Sequence, residues 1–386
     1  RAILLSQVWT ESSAWTSKNL YQVFPTKKPW QNSELWNNER FLLLGAALPF
    51  PQYSISELFP KKLQPNHSDF ILDWHQNHER ILGTELSCDD SGYWQLQSSM
   101  QSTRKKTGSF YTPVKLVQTI IEQLLLDVDL RLSTLPIAQQ EAYLLSLRCC
   151  DPSCGTGNFL LHLTQTLAGR LQKIRTQCGQ DTRFNDCLET ISHHCIFGTD
   201  LNWLSVGLCR LGLWWQCQYS ELSSNFRIGD ALLGWIDTKN AFSWKKEFPE
   251  IFQSGGFDIV LGNPPYVDSK TMKKQDPALR TRYQKGFNST KGNWDLYIPF
   301  SELGLLLLKP DGIVAFLTPK NILGADYAKA LQAIWLEQQI LWIQDFSAQD
   351  WFEDAKVSVV AIACKKQTAI QNQAIQCLRY RPDSIQ

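Results

Sequence analysis

The chain has 386 residues, 43% of them hydrophobic, and a formal net charge of +1, so it can fill two or three domains with a large core. Balanced charge excludes a protein that binds nucleic acid with its whole surface, and any such contact must use a local basic patch. No apolar run reaches the length of a membrane span and no signal-peptide pattern is present, which points to a cytoplasmic protein without a membrane partner.

The eleven cysteines include no CxxC pair and suit a reducing compartment. His193, His194 and Cys195 stand together without further ligands at metal spacing, so no metal site is expected. The chain opens on Arg1 rather than Met, and both ends are treated as arbitrary.

Residues 1–103 are rich in Trp, Ser, Gln and Asn, with helical pieces expected around 34–47 and 69–82 between Pro-containing turns. No catalytic motif stands out there, and the stretch reads as a mainly helical connector or packing segment. Residues 104–386 form the second expected domain. It opens on Arg104-Lys105-Lys106 and then Phe110-Tyr111-Thr112-Pro113, with Thr112 as cap and Pro113 as first residue of an amphipathic helix to about Asp127.

Residues 144–150 (LLSLRCC) read as a buried strand leading into Asp151-Pro152-Ser153-Cys154-Gly155-Thr156-Gly157 and a helix to about Lys173. Strand, glycine turn and helix make a nucleotide-binding crossover, with Gly155 and Gly157 allowing close backbone approach. The turn lacks the third glycine of a dinucleotide fingerprint and the Lys of a phosphate loop. Two further strands end on acids: 195–199 on Asp200, followed by Leu201, and 226–229 on Asp230, followed by Ala231. The second acid of such a sheet is placed to hold ribose hydroxyls, and the third to meet an adenine amino group. Singly, each is more often a helix cap or turn; it is the succession of acids at strand tips that points to a site.

The stretch Phe257–Leu261 reads as another buried parallel strand, ending on Gly262 and then Asn263-Pro264-Pro265-Tyr266. Two prolines fix φ and remove two N–H donors, so the local backbone offers carbonyls. Asn263 and Pro264 can each accept one N–H of a planar amine, aim its lone pair at an electrophile and stabilise the charge that develops. The Tyr266 ring can stack on the base for about 1–3 kcal/mol. Asn and Pro are also ordinary turn residues.

Residues 268–291 then carry Lys270, Lys273, Lys274, Arg280, Arg282, Lys285 and Lys291 against Asp268 and Asp276. Such a run is commonly a solvated loop; beside the proposed site of an otherwise neutral chain it suits phosphate contact. A helix opening at Gly292–Tyr297, a strand 313–318, a helix 327–337 and strands 340–346 and 357–364 complete an alternating pattern, the last two forming a hairpin-like edge.

With these motifs in order, residues 104–364 resemble an S-adenosylmethionine-dependent DNA adenine-N6 methyltransferase of bacterial restriction-modification systems, the type whose cofactor motifs precede Asn-Pro-Pro-Tyr. The segment Phe248-Pro249-Glu250-Ile251-Phe252 resembles the lead-in found in fused restriction enzymes. The resemblance implies a Rossmann-like class I α/β fold with a mostly parallel seven-stranded sheet and helices on both faces. It further implies S-adenosylmethionine held by Phe110, Tyr111, Thr112 and Pro113, by Asp151, Pro152, Gly155 and Gly157, and by Asp200, Leu201, Asp230 and Ala231. A flipped adenine would lie on Asn263, Pro264, Pro265 and Tyr266, with Phe346 or Phe352 as a second wall.

The partners implied are double-stranded DNA and a restriction endonuclease or specificity subunit, separate or fused. Family members continue into a target-recognition domain, which is expected to be missing here. A protein-glutamine or RNA N-methyltransferase poses the same nitrogen problem, and a truncated non-catalytic remnant is the alternative of another class.

Overall fold

The structure is a computed structural model that describes residues 85–88, 94–97, 112–217, 225–236, 242–349, 351, 357–369 and 375–380. The chain divides into two compact units, Arg1–Thr103 and Arg104–Gln386. In the first, the described residues are two antiparallel strands, β1 (Glu85–Cys88) and β2 (Trp94–Gln97), paired from Glu85↔Gln97 to Cys88↔Trp94. The helices expected at 34–47 and 69–82 lie outside the described residues.

The second unit is built on an eight-stranded sheet in the order β10-β8-β9-β7-β6-β3-β4-β5. The strands are β3 (Cys149–Asp151), β4 (Ile196–Asp200), β5 (Phe226–Ile228), β6 (Phe257–Gly262), β7 (Leu308–Pro319), β8 (Gln338–Asp345), β9 (Val359–Thr368) and β10 (Gln376–Arg379). Every pairing in it is parallel except the two made by β9. Both faces are covered, and successive strand residues feed opposite cores.

On one side Cys149, Ile196, Ile259 and Leu261 pack with α1 (Val114–Leu124) and α4 (Asn158–Gln177). On the other, Cys150, Phe197, Val260 and Phe316 pack with α12 (Tyr297–Leu307). Phe257 sits at the centre of an aromatic cluster: Phe197, Trp244, Phe248 and Phe252 meet it mostly edge to face at 5.7–6.1 Å between ring centres. The residues leading into β6 are therefore part of the core beneath its strand.

The remaining helices are α2 (Leu126–Thr134), α3 (Ile137–Ser146), α5 (Phe184–Cys195), α6 (Trp203–Gln216), α7 (Ala231–Ile236), α8 (Trp244–Glu247), α9 (Pro249–Gln253), α10 (Ser269–Gln275), α11 (Pro277–Gly286) and α13 (Lys329–Leu336).

Four expectations are corrected. The run 144–150 is split, because its first residues end α3 and only Cys149–Asp151 is strand; an unbroken apolar run has no period to tell the two apart. Thr112 does not cap α1: Pro113 is the N-cap, with extended backbone, and receives no side-chain bond. The sheet has eight strands rather than seven, since β10 adds in parallel to β8. The last hairpin is not an edge, for β9 lies between β7 and β8.

Strands β3 and β6 are neighbours, and where they end the backbone leaves no spare volume. Gly262 adopts φ +149°, and a Cβ there would stand 2.5 Å from Asp151 Oδ1. Strain and overpacking each cost about 1–3 kcal/mol. Gly262→Ala is accordingly expected to lower stability by about 2–4 kcal/mol in urea unfolding, with the loss seen in the midpoint.

Candidate active site

The glycine turn after β3 is tied to the neighbouring strand by side chains and backbone together. Ser153 N–H donates to Asp151 Oδ1 at 2.9 Å, and Thr199 Oγ1 donates to the Pro152 carbonyl at 3.0 Å. Asp200 accepts from Gly155 N–H at 2.9 Å and from Asn202 N–H at 2.7 Å. Burial raises the Asp200 pKa against the pull of those two donors. Gly155 and Gly157 take the left-handed φ values of +54° and +95° that glycine tolerates. At Gly157 the need comes from within the protein as well, since a Cβ there would stand 2.5 Å from Cys209 Sγ on α6.

The third acid behaves as a cap and a clasp. Asp230 Oδ1 accepts from Leu233 N–H at 2.9 Å, and Oδ2 accepts from the Tyr283 hydroxyl at 2.5 Å. Ala231 is buried, and its carbonyl accepts from Trp244 Nε1 at 2.8 Å. Around this edge two features stand out: the Ser153 hydroxyl is buried without a partner among the described residues, and Leu201 is 71% exposed directly after Asp200. An unpaired hydroxyl, a left-handed turn and an exposed apolar side chain at the carboxyl ends of parallel strands suit a ligand that is part polar and part flat and apolar.

At the tip of β6, Asn263 Nδ2 donates to Thr112 Oγ1 at 3.0 Å, while Asn263 Oδ1 is buried and accepts from no group among the described residues. Leaving a buried acceptor unmade costs about 1–3 kcal/mol, a cost that an arriving N–H donor removes. Tyr266 donates its hydroxyl to the Leu317 carbonyl at 3.1 Å and meets the Tyr297 ring at 6.2 Å and 75°. The tip is thus a rigid acceptor beside a fixed aromatic ring.

Sequence reasoning missed the support under that ring. Tyr297 and Tyr327 share a hydroxyl–hydroxyl bond of 2.9 Å, and Tyr327 donates to Asp295 Oδ2 at 2.9 Å. Asp295 Oδ1 in turn accepts from Ser269 N–H at 3.0 Å, and burial raises the pKa of its carboxyl. The motif Asn293-Trp294-Asp295-Leu296-Tyr297 was the available signal, read there only as a helix opening.

Of the basic segment, Lys270, Lys273, Lys274, Arg282, Lys285 and Lys291 are exposed on α10, α11 and the following loop. Lys273 Nζ donates to Asn293 Oδ1 at 2.7 Å. Arg280 is a correction. It is buried, its guanidinium lies 4.2 Å from the Trp294 ring centre, and it donates to Ser269 Oγ and the Gly292 carbonyl, both at 3.2 Å. Phe346 is a second correction, being 0% exposed and packed among Trp351 and Tyr380, with no free face for a base. Phe110, Tyr111 and Phe352 lie outside the described residues. Among the described residues no group of three or more His, Cys, Asp or Glu is placed to hold a metal ion.

Comparison with known proteins converges on the same region. The family described as Eco57I restriction-modification methylase matches residues 194–352, from the end of α5 through β4, the β6 tip and β8. Over that segment the chain is similar to restriction-modification DNA methylases of the Eco57I type. It is 22% identical over 293 residues to the type II restriction enzyme and methyltransferase RM.Eco57I of Escherichia coli, covering 68% of this chain and 28% of that protein. It is 24% identical over 275 residues to the adenine-specific methyltransferase PglX of Streptomyces coelicolor, covering 61% of this chain and 21% of the other. The chain therefore spans under a third of the length of these two relatives.

Among solved structures, the type IIL restriction-modification enzyme MmeI in complex with DNA superposes with a TM-score of 0.62 at 18% identity, over 98% of this chain and 55% of the other. That likeness establishes the shared fold.

The segment 268–291 thus contains one arginine used internally and six cations on the surface. Arg280→Ala is expected to cost about 2 kcal/mol of stability through the lost stacking and hydrogen bonds, whereas Lys274→Ala leaves the thermal midpoint within a degree or so.

Proposed function

We propose that this chain transfers a methyl group from S-adenosylmethionine to the N6 amino group of an adenine flipped out of double-stranded DNA, as the methylating part of a restriction-modification enzyme. The observation that carries the reading is the buried, unpaired Asn263 Oδ1 beside the fixed Tyr266 ring.

Adenine N6 is a poor nucleophile because its lone pair is delocalised into the ring. Asn263 Oδ1 and the Pro264 carbonyl accept its two hydrogens, which draws the nitrogen toward a tetrahedral shape and frees the pair. Pro265 has no N–H to compete for those acceptors. As the nitrogen–carbon bond forms, positive charge develops on nitrogen, and two preset carbonyl dipoles stabilise it more than they stabilise the neutral amine. The excess proton leaves to water afterwards, so no strong base is required. Tyr266 stacks on the base and offsets part of the few kcal/mol spent on flipping.

S-adenosylmethionine would supply an electrophilic methyl on a sulfonium, whose sulfur–methyl bond breaks to leave the neutral thioether S-adenosylhomocysteine. The residues that would hold it fit such a group. The Ser153 hydroxyl is unpaired, Asp200 fixes the Gly155 turn with acceptor capacity left for ribose hydroxyls, and Leu201 offers an exposed apolar face. Asp230 accepts one bond on each oxygen, from Leu233 N–H and the Tyr283 hydroxyl, just as Asp200 does from its own two donors, and it keeps acceptor capacity for the cofactor adenine at the edge. The six exposed cations between residues 270 and 291 supply phosphate contact, a sequence-independent attraction.

Nucleoside mass spectrometry of DNA from a methylation-deficient host expressing the chain is expected to show N6-methyladenine. Asn263→Ala should lower it by roughly 100-fold or more while calorimetric binding of S-adenosylhomocysteine persists. Methylated glutamine peptide or RNA with unmodified DNA would reassign the substrate, and an active Asn263→Ala would overturn the mechanism. Lys270→Ala and Lys274→Ala should each weaken DNA binding at every sequence and reduce the salt dependence by about one counterion.

A further inference from the structure

We propose that Thr112 is a positioning residue for Asn263: it occupies the donor end of the catalytic amide, so that only the acceptor end faces the substrate amine. The inference rests on the reading of Asn263 as the amine acceptor. A side-chain amide has a donating and an accepting end of nearly equal size, and chemistry at N6 needs the accepting end. Reversed, Asn263 would present two N–H donors to an incoming NH2 group, leaving donors facing donors.

Thr112 Oγ1, brought in from 151 residues away, accepts one N–H of Nδ2 at 3.0 Å and so anchors the donor end, while Oδ1 has no partner among the described residues. Thr112 is itself held. It is 3% exposed, and its carbonyl accepts from Asn158 Nδ2 at 2.7 Å. Asn158 is the first residue of α4, directly after Gly157. One threonine is therefore gripped by two amides, one on the catalytic tip and one at the exit of the glycine turn. A helix cap, the role its sequence suggests, is not what its hydroxyl does.

Thr112→Val keeps the shape and removes the acceptor, and Thr112→Ser restores the hydroxyl. With asparagine labelled by nitrogen-15, the Asn263 side-chain NH2 pair is identified by its loss in Asn263→Ala. Thr112→Val is expected to shift that pair and speed its proton exchange about tenfold, and Thr112→Ser to return both toward the parent values. In turnover, Thr112→Val should lower kcat about tenfold or more with the KM for S-adenosylmethionine within about threefold, and Thr112→Ser should recover most of the rate.

An unmoved NH2 pair in Thr112→Val would overturn the proposal. So would an unchanged kcat, or a defect confined to the KM for S-adenosylmethionine, which would make Thr112 a cofactor ligand instead. Absence of DNA methylation by the parent chain defeats the functional reading alone, since the NMR comparison decides the hydrogen bond without turnover.

Discussion

The tips of β3 and β6 lie side by side, and the carboxylate of Asp151 fills the space where a side chain at position 262 would be. This contact sets the distance between the glycine turn and the Asn-Pro-Pro-Tyr tip, because each segment leaves its strand at that point. Parallel pairing makes it possible: both strands run the same way, so both exits open at one edge of the sheet. The aromatic cluster around Phe257 holds β6 from below, while Asp200 and Thr199 hold the turn from the side. Few of the parts at this edge are free to move independently.

Polar bookkeeping sharpens the picture. Nearly every buried polar group in a folded protein is paired, and the exceptions ask for a reason. Among the described residues such exceptions also occur deeper in the fold, at Ser289 Oγ and Trp294 Nε1, but Ser153 Oγ and Asn263 Oδ1 are the pair that flanks the shared edge, one at each exit. Deeper in, the chain Ser269–Asp295–Tyr327–Tyr297 is satisfied throughout and steadies the ring that Tyr266 packs against.

Much of this was legible in the sequence because it lies in short apolar runs ended by a polar residue. Strand β4 finishes on Asp200 and β6 at Gly262, while Asp230 follows β5 by two residues, and those endings place the candidate site. What was not legible depends on partners distant in sequence. Gln376–Arg379 carries no strand pattern and becomes β10 only by pairing with β8. The count of cations in 268–291 could not separate Arg280 from its neighbours, because its burial depends on Trp294 folding back over it. Phe346 looked like a wall for a base until Trp351 and Tyr380 enclosed it. Thr112 read as a cap because a local rule was applied where a bond from 151 residues away prevailed.

The order of the sheet has a consequence for how the molecule meets copies of itself. Its longest strands, β7 and β9, are interior, and among the described residues its borders are β5 with three residues and β10 with four. Unpaired backbone at a border is a template for edge-to-edge growth, and a short border offers little of it. By lying along the eight-residue β8, β10 replaces a long template with a short one whose outer positions include Gln376 and Arg379. Among the described residues, the strand that adds least to the core thus shortens the open backbone at that border of the sheet.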